Sequence, residues 1–192
     1  MKSFMIAAMC LVTLTVFAAL PRIDVVAKKQ LKITPLNNEE TMLMKEQTWG
    51  PADTRPYRFT AEGKKVGENW ETVRIRFKAE SDGVVNLGLG GQWVRKPELK
   101  EWVLVSRIQM NGKLIPNGDF RNFSGSSEKG YKIKNFWVGL KVRYISGGGE
   151  NGAGAVCINE ENRIGFTWQV KAGKIYELSY RVKAAPVILM NP

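Results

Sequence analysis

The strongest constraint on this chain is a two-residue hydrophobic period that recurs from residue 55 almost to the C-terminus. Val73, Ile75, Phe77 and Ala79 alternate with Thr72, Arg74, Arg76 and Lys78. Successive strand side chains point to opposite faces, so this spacing makes one dry face and one wet face. The pattern returns over 136–144, where Phe136, Val138, Leu140, Val142 and Tyr144 alternate with Trp137, Lys141 and Arg143. It returns over 164–170 and 176–182, with Ile164, Phe166, Trp168 and Val170 on one face, then Tyr176, Leu178, Tyr180 and Val182. Ser81-Asp82-Gly83 reads as a turn, with 84–89 as the returning strand of a hairpin. Residues 102–110 form another predicted strand, closed by Asn111-Gly112, the strongest two-residue turn signal in the chain. A short strand is expected over 153–158, after the Gly147-Gly148-Gly149 loop, and Ala172-Gly173 turns the chain near its end.

No segment sustains a 3.6-residue period long enough for a firm helix. Residues 28–48 are mixed and polar and read as a short helix or a lead-in packed on the domain. The expected fold is all-β, an antiparallel β-sandwich or jelly roll of about eight strands. Each strand hides one face, so two sheets must stack to bury both dry faces.

The N-terminus reads differently. Lys2 precedes an uncharged apolar run from Phe4 to Leu20, the pattern of a secretory leader. Small residues at Phe17-Ala18-Ala19 and at Val25-Val26-Ala27 give two processing points, after Ala19 or after Ala27. An uncleaved anchor is the competing reading, although the run only reaches the short end of a membrane span and Pro21 stops a helix behind it. The expected organisation is a signal peptide at 1–27, a lead-in at 28–54 and the sandwich at 55–192. The expected location is secreted, periplasmic or at the cell surface. Processing would leave one cysteine, Cys157, between Val156 and Ile158, which reads as a buried small hydrophobe.

Composition narrows the chemistry. The 192 residues include no histidine, which removes serine–histidine and cysteine–histidine nucleophile pairs and the common zinc sites. No catalytic residue and no metal site are assigned. The 29 Lys+Arg against 18 Asp+Glu give a formal net charge of +11. No nucleic-acid recognition motif accompanies that charge.

Leu114-Ile115-Pro116-Asn117-Gly118-Asp119-Phe120, with the later run from Phe166 through Lys171-Ala172-Gly173-Lys174-Ile175-Tyr176-Glu177-Leu178-Ser179-Tyr180, resembles the opening half of a known module. The family is the jelly-roll carbohydrate-binding modules associated with cellulases and xylanases, families four and nine, of galactose-binding-like β-sandwich type. The segment 70–112 resembles their closing half, so the halves stand in circularly permuted order. The resemblance implies a non-catalytic glycan-binding protein. Arg121 stands where that family has a Glu tied to a structural calcium site, so no cofactor is expected and calcium is in doubt.

Sugar recognition needs flat apolar surface beside planar polar groups. Candidate ligand-binding aromatics are Trp93 after Gly90-Gly91-Gln92, Trp137 beside Lys141 and Arg143, and Trp49 and Tyr57 flanking Gly50-Pro51. The wet strand faces carry Arg74, Arg76 and Lys78, then Lys141 and Arg143, then Arg181 and Lys183. As neighbours in one sheet these strands would form a cationic face for anionic polysaccharide. Two alternatives are a structural or assembly protein of the cell envelope, with other envelope proteins as partners, and a polysaccharide lyase. The lyase is weakened because Arg143 and Tyr144 are adjacent and so face opposite ways.

Overall fold

The computed structural model describes residues 21–27, 31–36, 42–46, 58–91, 102–126 and 128–185. Among them the chain is all-β, and the only helical turn is a short 3-10 turn at Glu150–Gly152. The strands are β1 Pro21–Ala27, β2 Ile33–Leu36, β3 Met42–Glu46, β4 Arg58–Gly63, β5 Glu71–Ala79, β6 Gly83–Gly91, β7 Val103–Met110, β8 Lys113–Leu114, β9 Phe123–Ser126, β10 Gly130–Ile133, β11 Trp137–Val138, β12 Arg143–Ile145, β13 Ala155–Ile158, β14 Ile164–Val170 and β15 Ile175–Ala184. That is fifteen against the eight or so expected. The surplus comes from short strands and from strands before residue 55.

Two antiparallel sheets carry the fold. One has six strands in the order β11-β14-β6-β1-β4-β3. The other runs β12-β13-β7-β15-β5-β2, with β8 paired to β7. A separate ribbon pairs β9 with β10. The dry faces meet in one core that includes Ile23, Val25, Ile75, Phe77, Leu87, Leu89, Ile158, Leu178 and Tyr180. The period-two reading of β5 holds residue by residue, since Val73, Ile75, Phe77 and Ala79 are buried while Arg74 and Arg76 are exposed.

Strands β7 and β13 are buried on both faces. Val103, Val105, Val156 and Ile158 enter the main core, while Leu104, Ala155 and Cys157 form a second small cluster on the outer face. Trp70, Trp102 and Ile145 pack over that cluster. Burial on both faces explains why Val103–Val105 and Ala155–Ile158 are unbroken apolar runs. It also pushes the Cys157 thiol up to about 12, with Arg143 only partly opposing the shift.

Local chemistry sets the turns. Asn111 and Gly112 both have positive φ, 51° and 74°, as a type I′ hairpin demands, and they join β7 to β8. Asn117 and Phe120 also have positive φ. The Asn117 side chain accepts from the Asn122 amide and donates to the Asn122 and Lys134 carbonyls, and Phe120 is sealed in the core. The Asn-Gly-Asp-Phe element is therefore a turn with a core plug.

Three expectations are corrected. Residues 81–83 do not close a hairpin: β5 belongs to the seven-stranded sheet and β6 to the six-stranded one. Both edges of β5 are taken by β15 and β2, and both edges of β6 by β14 and β1. The link is an arch between sheets. The strand expected over 136–144 is broken into β11 and β12, which lie in different sheets. The break sits at Gly139, whose amide donates to the Arg163 carbonyl and whose carbonyl accepts from Val142. A Cβ at Gly139 would press on the Arg163 and Asn162 backbone, so the glycine permits this crossover. Of the two readings of 28–48, the described residues show no helix: Ile33–Leu36 pairs with β5 and Met42–Glu46 with β4.

Strand β1 lies inside the six-stranded sheet, with β6 on one side and β4 on the other. Ile23, Val25 and Ala27 face the core at zero exposure.

Candidate functional site: a glycine-floored sheet face bearing Trp137

Strand β6 reads Gly-Val-Val-Asn-Leu-Gly-Leu-Gly-Gly. Val85, Leu87 and Leu89 point into the core, which puts Gly88 and Gly90 on the outer face. Register aligns one cross-strand row over that face: Trp137 opposite Gly165, Gly165 opposite Gly88, Gly88 opposite Asp24, and Asp24 opposite Thr60. The two glycines leave a floor without side chains, and the Trp137 indole lies across it. A Cβ at Gly165 would stand 2.2 Å from Cζ2 and 2.4 Å from Cε2 of the indole, and a Cβ at Gly88 3.5 Å from Cζ2. Trp137 still keeps 47% of its surface exposed. It is a ring bedded on backbone and open to solvent.

Arg163 lies beside it in the same layer. Its aliphatic stem covers Gly90, where a Cβ would meet Cγ at 3.0 Å. Its guanidinium pairs with Asp24 Oδ2. Asp24 Oδ1 accepts from Thr60 Oγ1 at 2.9 Å and from Arg22 Nη2 at 3.1 Å. The Asp24 side chain is 15% exposed and that of Arg163 26%, so this pairing is largely desolvated and held rigid. The outer face thus presents an indole next to a fixed guanidinium–carboxylate pair.

Strand β11 covers β14 only at Ile164 and Gly165. Past that point a cleft of about 320 Å³ opens along the strand, lined by Ile115, Pro116, Asn135, Phe166, Thr167 and Trp168. That volume is at the lower end for small-molecule sites. Thr167 follows Gly165 by two residues and shares its face. Trp168 packs partly against the core, edge-on to Phe166 at 6.5 Å between ring centroids.

The cationic residues expected to join Trp137 lie elsewhere. Arg74 and Arg76 are on the outer face of β5, and Arg143 on β12 of the same seven-stranded sheet. Three strands separate β12 from β5, about 19 Å at ordinary strand spacing. Arg181 and Lys183 of β15 lie between them. Acids are set among these cations: Glu177 is 3.9 Å from Arg74, Glu80 is 3.2 Å from Lys78, and Glu150 is 2.6 Å from Arg181. The Glu80 carboxyl is held below its usual value, first by the Thr34 hydroxyl and then by Lys78. Lys183 lies 5.0 Å from the Trp70 ring centroid. Lys141 is exposed on the crossover turn, its amide donating to Asn162 Oδ1. Trp93, Trp49 and Tyr57 lie outside the described residues.

Tyr144 stacks on Phe123 at 3.6 Å between centroids, and Arg143 pairs in register with Cys157 on the other face of β12. Arg121 is ion-paired to Asp119 at 3.0 Å, and among the described residues no three acidic or thiol side chains gather as metal ligands.

Asp24, Arg163, Gly88, Gly90 and Gly165 were not singled out from the sequence. The signal was present in Gly88 and Gly90, two glycines two positions apart on β6, because strand glycines mark places where one face is left clear for close approach. Comparison with family models, with curated proteins and with solved structures gives no match.

Proposed function

We propose that this protein is an exported, non-catalytic glycan-binding protein whose sugar platform is Trp137. The observation that carries the reading is the half-exposed indole bedded over Gly165 and Gly88. An indole in that position offers its free surface to the C–H face of a pyranose, and the partly exposed Arg163 guanidinium, held in place by Asp24, lies beside it to donate to hydroxyl groups. The adjoining cleft at Thr167 and Asn135 extends the surface along β14, which suits an oligosaccharide better than a single ring. The excess of Lys and Arg over Asp and Glu adds a long-range attraction for acidic polysaccharide, and salt weakens such attraction.

The test is retention of the protein on a panel of neutral and uronate- or sulfate-bearing polysaccharides, by affinity electrophoresis at low and at 0.5 M salt. The wild type is retained on at least one glycan, and Trp137→Ala abolishes retention while the protein still melts cooperatively. Loss of retention at high salt assigns the acidic class. Retention unchanged in the variant refutes Trp137 as the platform.

A second reading is an assembly protein of the cell envelope. Leu140, at 94% exposure on the crossover three residues past Trp137, favours it, because a protein partner would cover such a side chain. No glycan retention together with self-association that Leu140→Ser abolishes would establish that reading instead.

A further inference from the structure

We infer that the mature exported chain begins just before Pro21, with the leader ending at Ala18 or Ala19, because residues 21–27 are the inner strand β1 of the six-stranded sheet. The inference rests on the export reading and goes beyond it. Sequence alone leaves two processing points, since Phe17-Ala18-Ala19 and Val25-Val26-Ala27 both end in alanine. Val16-Phe17-Ala18 also places small or compact residues three and one positions before a cut.

The fold separates these points. A signal peptidase meets the chain unfolded, so the fold does not block a cut after Ala27. It decides which product can fold. Removal of 1–27 would take out a strand paired over seven residues with β6 and over five with β4. It would expose two rows of backbone donors and acceptors in the middle of a sheet. It would empty the core space of Ile23, Val25 and Ala27. It would also strip Arg163 and Thr60 of the Asp24 carboxylate. The following segment cannot slide in as a substitute, because Ile33–Leu36 is already paired with β5 in the opposite sheet. A cut after Ala18 or Ala19 leaves all of β1 and at most two residues before Pro21.

The experiment expresses the full chain, tagged at its C-terminus, in a host that exports through signal peptides. Intact mass and N-terminal sequencing are read on the exported, cooperatively melting protein. The expected N-terminus is Ala19 or Leu20. A folded product starting at Lys28 overturns the inference and leaves the export reading standing, whereas a full-length chain retained in the cell overturns both. The double variant A18F/A19F changes only residues ahead of β1. It is expected to abolish cleavage, leaving less than a tenth of the chain processed. A folded product of that variant starting at Lys28 also overturns the inference.

Discussion

Substituting Gly165 by alanine tests whether the Trp137 indole is truly bedded on the sheet. The added Cβ would stand 2.2 Å from the indole and 2.5 Å from the Leu87 carbonyl oxygen, where ordinary contact starts near 3.4 Å. The ring must lift by roughly 1 Å, and the carbonyl, fixed in the β14–β6 ladder, cannot turn away. Overpacking of this kind costs typically about 1–3 kcal/mol, and the backbone clash puts Gly165→Ala at the upper end, about 2–3 kcal/mol. For a chain of this size that lowers the melting temperature by about 4–12 °C. Gly88→Ala is the control in the same row. Its Cβ would meet the indole at 3.5 Å, an ordinary contact, so stability should stay within about 0.5 kcal/mol of wild type. In a Trp137→Ala background the indole clash vanishes and only the carbonyl remains. Gly165→Ala should then cost at least about 1 kcal/mol less, a coupling typical of residues in contact. The assay is thermal and urea unfolding of the four variants. A Gly165→Ala melt within about 1 °C of wild type, or an undiminished cost in the Trp137→Ala background, would refute the bedded indole.

Asp24→Ala leaves Arg163 and Arg22 facing each other without their shared carboxylate, and should cost about 2–4 kcal/mol by urea unfolding, as removal of one partner from a largely buried ion pair does. Native Cys157, with its thiol raised to about 12 by burial, should resist iodoacetamide at pH 8 and react fully once unfolded, as peptide mapping would record. The Asp82 carboxyl is held below its usual value, first by the Ala172 amide and then by Lys171. A depressed carboxylate stabilises above its unfolded pKa and loses that contribution as pH falls through the folded one. Asp82→Ala should therefore melt below wild type at pH 7, and the gap should close on acidification beneath the ordinary aspartate range.

The strands were legible because burial imposes a period of two wherever one face is dry. Val73 to Ala79 show it residue by residue, and Tyr176 to Val182 show it apart from Ser179, which is buried on the wet face. Asn111-Gly112 was legible for an equally local reason, since positive φ at two consecutive residues calls for these side chains. Pairing was not legible. Nothing in Ser81-Asp82-Gly83 distinguishes a hairpin from an arch, because the choice depends on whether β15 and β2 already occupy the edges of β5. The run 136–144 misled because its alternation is regular. Gly139 and the Arg163 backbone broke it through a contact between residues 24 positions apart.

The same division holds for the site. Periodicity along the chain was enough to read an all-β chain with buried dry faces, an exposed set of cations and a tryptophan at position 137 on a wet face. That Trp137 and the arginines of β5 and β12 lie on opposite sheets follows from the three-dimensional pairing of strands. The same pairing set a glycine floor beneath the indole and brought Asp24 from the N-terminus to Arg163, a hundred and thirty-nine residues away. Cross-strand neighbours are chosen by the free energy of closing both sheets over one core, and that sum has no local trace in the residues it brings together.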